Sequence, residues 1–91
     1  MKVTTNYNEE NKLSYVNIIS GKTELTIFKG YSITIKNERN ASSKAWGGLG
    51  KTFHSWEDAI SNYKKEATKE IVIKAMELFE ADQNKPHQVS C

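Results

Sequence analysis

The chain has 91 residues, of which 37% are hydrophobic and 26% charged, with a formal net charge of +2. That length makes one domain, which buries only about 60–65% of the surface its unfolded form exposes, and the composition excludes a disordered chain. No apolar run approaches the roughly 18–20 residues that cross a bilayer, and Met1–Tyr7 lacks the apolar block of a signal peptide, so neither a membrane partner nor export is expected.

The single cysteine, Cys91, has no partner in the sequence. It excludes a disulfide scaffold and points to a reducing, cytoplasmic setting, where the sequon Asn40-Ala41-Ser42 carries no meaning. Residues 1–55 hold 8 Lys/Arg against 4 Asp/Glu, and residues 56–91 hold 5 against 7. The front is therefore basic and the back mildly acidic. The excess is too small to define a nucleic-acid binder by charge alone, and it argues against an acidic mimic of DNA.

Along the chain, Val3–Tyr7 offers an optional edge strand. Leu13–Ile19 is rich in β-branched and aromatic residues and predicts a strand. Ser20-Gly21-Lys22-Thr23 follows, with glycine at the first central position of a two-residue hairpin turn. Glu24–Phe28 is the return strand, and Lys29-Gly30 is a second break. Tyr31–Lys36 alternates, with Tyr31, Ile33 and Ile35 on one side and Ser32, Thr34 and Lys36 on the other. Residues 37–43 are turn-like, and Lys44–Phe53 predicts a last strand made irregular by its glycines.

Ser55 is a good helix N-cap, with Glu57 and Asp58 where the helix dipole favours negative charge. No Gly or Pro then appears before Pro86. Trp56, Ile60, Tyr63, Ala67, Ile71, Ala75 and Leu78 recur at three- and four-residue steps and predict one apolar stripe covering the sheet. A helix from 55 to 80 spans about 39 Å at ~1.5 Å per residue. A compact chain of this size has a radius of gyration near ~12 Å. The helix must therefore overhang its sheet or break. Its second half is also apolar away from the stripe, at Val72, Ile73, Met76 and Phe79. Either that half is buried within the chain, or these four residues form a self-association surface for a homodimer.

The expected fold is α+β: an antiparallel three- to four-stranded meander followed by one long C-terminal helix packed on one face. Residues 1–80 form this sheet-plus-helix domain, and residues 81–91 form a flexible tail with Pro86 barring helix.

Three motifs bear on chemistry. Ala45–Thr52 matches a relaxed phosphate-loop pattern, which needs a helix starting at its Lys-Thr. Here Phe53 and His54 intervene before the cap at Ser55, so the pattern is read as strand and not as a nucleotide site. His54, His87 and Cys91 lack the close paired spacing of a zinc site, so no metal is expected. Glu66, Glu70, Glu77 and Glu80 interleave with Lys69 and Lys74 as on a solvated helix face. No catalytic set and no cofactor site emerge, so the chain is not expected to be an enzyme.

The better lead is a basic sheet. Lys22, Lys29, Lys36, Arg39, Lys44 and Lys51 fall at turns or polar strand positions, with Tyr7, Tyr15, Phe28 and Trp46 near them. Lys29, Lys36, Arg39, Lys44, Trp46 and Lys51 are the candidate partner-binding residues, set against the plain alternative of a solvated outer face. A phosphate backbone or an acidic protein patch suits such a surface.

The residues Ile35, Lys36, Arg39, Trp46, Thr52, Phe53, Ser55, Glu57, Asp58, Ala59, Tyr63 and Ala67 resemble the second half of a plant-type AP2 DNA-binding domain. The resemblance implies three antiparallel strands on one helix, with Lys36, Arg39, Trp46 and Lys51 against a duplex. The Arg- and Gly-bearing first strand of that family is missing. In type, being short, Lys/Asn-rich and without catalytic motifs, the chain is also similar to small inhibitors encoded by phages and mobile elements, anti-CRISPR proteins among them. That likeness implies a host protein or nucleoprotein effector complex as the partner.

Overall fold

The computed structural model describes residues 1–38 and 50–83. Within them lies an antiparallel five-stranded sheet in the order β1-β2-β3-β4-β5, followed by helix, which is the expected α+β architecture. The strands are β1 Lys2–Tyr7, β2 Leu13–Ser20, β3 Thr23–Lys29, β4 Ile33–Asn37 and β5 Lys51–Phe53. The count exceeds the expected three to four because the optional edge segment pairs along its whole length, from Lys2↔Ile19 to Tyr7↔Leu13.

Two turns set the register. Ser20 pairs with Thr23 across Gly21-Lys22, and Gly21 takes φ +61°, which glycine adopts without a Cβ clash. The β1–β2 turn is built differently. Asn8 Oδ1 accepts from the backbone N–H groups of Glu10 (2.9 Å) and Lys12 (3.0 Å), and Asn11 takes φ 62°. Asparagine is among the few side-chain-bearing residues that adopt that region readily. At the β3–β4 connection Gly30 N–H donates to Ser32 O (2.9 Å), so the strand begins at Ile33. Tyr31, expected on the face of Ile33 and Ile35, lies in the turn and is fully exposed.

Residues directly opposite in an antiparallel pair share a face. One face carries Val3, Val16, Ile18, Leu25, Ile27, Ile33, Ile35 and Phe53, all in or against the core. Leu13 joins them although it has the parity of Tyr15, because the register shifts at Asn6/Tyr7 and turns it over. Among the described residues no helix covers the opposite face.

The helical region is two helices, α1 Trp56–Asn62 and α2 Glu66–Gln83. Of the two outcomes expected for one long helix, overhang or break, the chain takes the break. The cap forms as expected, with Asp58 N–H donating to Ser55 Oγ at 3.1 Å. Tyr63 then ends α1 in an extended conformation (φ −103°, ψ 137°), with its N–H on Ile60 O. Its ring meets Phe53 at 6.2 Å between centroids. No proline or glycine causes this break; local propensity yields to packing on the sheet.

The break re-phases everything after it. In α2, Thr68, Ile71, Val72, Ala75 and Phe79 are buried, and the helix packs over β2 and β3. Ala67, expected on the apolar stripe, is exposed. Val72 and Phe79, expected as self-association residues, instead lie in the core, with Phe79 5.9 Å from Trp56 between ring centroids. Side chains buried in this way are not open to a second copy, which leaves Ile73 and Met76 of the four. Ile73 and Met76 are half-buried on the flank of α2. The helix also runs to Gln83, so residues 81–83, assigned to the tail, belong to it.

Candidate functional site

Three of the six candidate basic and aromatic residues belong to the described part of the chain. Arg39, Lys44 and Trp46 lie outside the described residues. Of the others, Lys29 pairs with Ile33 and Lys51 with Ile35, so both sit at positions of the helix-covered side. Lys36 pairs with Thr26 on the opposite side. Lys29 Nζ donates to Gly30 O at 3.1 Å, a local contact at the hairpin tip. Lys36 is therefore on the other face from Lys29 and Lys51, and no single basic face is formed by these three.

The phosphate-loop pattern is strand here. Lys51 and Thr52 belong to β5, and the helix starts only at Trp56. Gly50 has a packing role instead: a Cβ on it would stand 2.5 Å from Ile35 O and 2.9 Å from its carbonyl carbon. His54 is exposed between β5 and α1. Among the described residues no group of three or more His, Cys, Asp or Glu is placed to hold a metal ion, and no helix is long and apolar enough to cross a membrane.

What the structure does assemble is the open face. Its register places Lys2, Ile19 and Glu24 in one row, then Thr4, Asn17, Thr26 and Lys36, then Asn6, Tyr15, Phe28, Thr34 and Thr52. Tyr15 and Phe28 sit on the inner strands β2 and β3 with ring centroids 5.1 Å apart and planes tilted by 43°, a favourable aromatic geometry. Beside them runs a polar chain. Asn17 Nδ2 donates to Glu24 Oε2 (3.1 Å) and Thr26 Oγ1 (3.0 Å), and Thr26 Oγ1 donates to Glu38 Oε2. Thr26 is buried, and its hydroxyl has both an acceptor and a donor partner, so it carries no unsatisfied polar cost.

The charges on this face offset one another. Lys2 and Lys36 stand with Glu24 and Glu38, the last held there by its backbone N–H on Glu24 O (2.9 Å) and by Thr26. A phosphate backbone approaching the described part of the face meets no net positive field. A mixed protein surface with an aromatic centre suits it better.

Tyr15 and Phe28 were visible in the sequence only as aromatics near lysines. The signal that pairs them is the Gly21-Lys22 turn, since counting outward from Ser20↔Thr23 brings Tyr15 opposite Phe28 and Asn17 opposite Thr26.

Apart from Arg39 and Trp46, which lie outside the described residues, the residues of the AP2 resemblance fall on β4, β5, α1 with its two caps and the start of α2, so its one helix corresponds to two here. No protein-family model matches the chain, nor does any curated protein or any solved structure.

Proposed function

We propose that this chain is a non-enzymatic binding protein that docks the open face of its sheet against a protein partner in the cytoplasm, and that it acts as a stoichiometric inhibitor of a host effector complex, as its likeness in type to mobile-element inhibitors suggests. The observation that supports the docking surface is the Tyr15–Phe28 pair, on the sheet face that the helices of the described residues leave open. Aromatic residues at the middle of a patch, ringed by satisfied polar groups, are the usual makings of an interface hot spot. Asn17, Thr26 and Glu38 hold the surrounding polar atoms in fixed positions, so docking there orders few new side chains.

The test is retention of partners from a bacterial lysate, with and without nuclease, by the wild-type chain and by Tyr15→Ser and Phe28→Ser. The reading expects one defined protein complex, kept after nuclease and lost with either substitution. Nucleic acid recovered alongside proteins that nuclease releases would instead support the AP2-type DNA-binding reading, with Lys36, Arg39, Trp46 and Lys51 as the residues to change. A complex retained equally by all three chains would remove the open face as the docking surface.

A further inference from the structure

The alternation of hydrogen bonds fixes which way each residue of β1 directs its backbone. In an antiparallel ladder, bonded and non-bonded pairs alternate. The two-residue turn makes Ser20↔Thr23 a bonded pair, so Ile18 and Val16 also bond to β3, and Ile19, Asn17 and Tyr15 bond to β1. Two observed bonds agree with this phase: Glu38 N–H on Glu24 O, and Asn8 N–H on Lys12 O, both 2.9 Å. Lys2, Thr4 and Asn6 therefore face β2, while Val3 and Thr5 direct N–H and C=O outward, away from the sheet.

Such an edge is ordinarily guarded by proline, by charge, by shortness or by a covering element. The opposite edge strand, β5, has only three residues. β1 has six, Lys-Val-Thr-Thr-Asn-Tyr, all but one exposed, with no proline. Its single charge, Lys2, lies on the open face. The large hydrophobic residues most exposed among the described ones are Met1 (61%), Tyr7 (48%) and Tyr31. The first two flank the outward-directed Val3 and Thr5 on the same side of the strand alternation.

We infer that β1 pairs antiparallel with β1 of a second copy, about a two-fold axis through Thr4, joining the two sheets into one continuous sheet. The strand is complementary to itself in this register. Val3 of each copy meets Thr5 of the other as a bonded pair, which satisfies the outward groups of both. Met1 of each copy comes opposite Tyr7 of the other, covering the exposed apolar side chains with a sulfur–aromatic contact. Lys2 falls opposite Asn6, so the only charges of the strand stay apart. A register centred on Thr5 leaves Met1 without a counterpart. The contact surface is one strand wide, well short of the roughly 1,200 Å² of a stable specific interface, so the dimer is a weak one that forms at high micromolar concentration. The inference is independent of the docking face, which the pairing leaves open on both copies.

The experiment is sedimentation equilibrium of the full chain over a concentration series, with two variants. Thr5→Pro removes only an outward N–H and leaves the bonds to β2 in place. Tyr7→Lys places a charge at the edge. The mean mass should rise with concentration for the wild type and stay at the monomer value for both variants, whose circular dichroism keeps the strand signal. The register is tested by oxidation in a Cys91→Ser background. Opposed Thr4 residues form a non-bonded pair with Cα atoms about 4.5 Å apart, within disulfide reach, so Thr4→Cys should cross-link and Thr5→Cys should not. A wild-type chain that stays monomeric into the millimolar range overturns the inference. So does a dimer that survives Thr5→Pro and Tyr7→Lys, or one that cross-links through Thr5→Cys alone.

Discussion

Asp82, in the last turn of α2, accepts a hydrogen bond at 2.9 Å from the backbone N–H of Leu13, the first residue of β2. A carboxylate near a helix C-terminus opposes the helix dipole. Its position is accounted for by this bond, which satisfies the backbone donor of a buried residue and fastens the end of the helical layer to the sheet.

Asp82→Ala is expected to cost about 1–3 kcal/mol, since a charged acceptor is lost and a part-buried N–H is left without it. Asp82→Asn keeps an acceptor oxygen and should cost less. Urea denaturation of the two variants beside the wild type gives the comparison, and equal midpoints for all three would show the tie to be idle.

The glycines separate by mechanism. Gly50→Ala drives a Cβ into the Ile35 carbonyl, which is backbone and cannot swing aside; it should destabilise by about 1–3 kcal/mol. Gly21→Ala strains a residue at φ +61° and should cost roughly 1 kcal/mol. Gly30→Ala meets nothing within 4 Å and needs no positive φ, so it should be close to neutral. Thermal melts should rank them in that order.

Burial raises the Tyr63 hydroxyl above its ordinary value of 10.0, against a smaller opposite effect of its side-chain hydrogen bond to Asn62. The folded chain thus holds this proton more tightly than the unfolded one. The resulting stability is complete below pH 10 and is lost as pH rises through the raised value. Tyr63→Phe keeps the ring contact with Phe53 and removes the titrating group. Its stability relative to the wild type should therefore improve as alkaline pH increases, read from denaturation midpoints at neutral pH and above 10. A constant difference between the two chains would mean that burial does not act on this hydroxyl.

Phe79→Ala should cost about 3–5 kcal/mol, a large share of what a domain of this size possesses, because it empties a core site against Trp56. Ile73→Lys and Met76→Lys, on the half-buried flank, should be tolerated far better and leave the mass in solution unchanged. A loss of dimer with these two substitutions would return the association surface to the helix.

How far the sequence could be read depended on the range of the forces involved. The hairpin at Gly21-Lys22, the alternation of Ile33 and Ile35 and the cap at Ser55 are local devices, and each stands where its residues predict. The failures are tertiary. Nothing in Asn62-Tyr63-Lys64-Lys65 announces a helix end; the break follows from packing Tyr63 on Phe53. Once it is made, Ala67 turns to solvent while Val72 and Phe79 turn inward. The separation of Lys36 from Lys29 and Lys51 followed from strand parity and was already available from the alternation. The role of Gly50 was not, because it depends on how closely β5 approaches β4.

The order of elements also has a consequence for biogenesis. Strands β1 to β4 are consecutive neighbours and all precede α2 in the chain. On the ribosome they emerge first and can pair as successive hairpins. Their inner face, Val16, Ile18, Leu25, Ile27, Ile33 and Ile35, then waits bare until the last helix is made. Over that interval the nascent chain is a half-built sheet with an apolar side, the kind of species that chaperones hold and that aggregates when they do not. Soluble yield should therefore be set less by the finished fold than by how soon Ile71 to Phe79 arrive to cover that face.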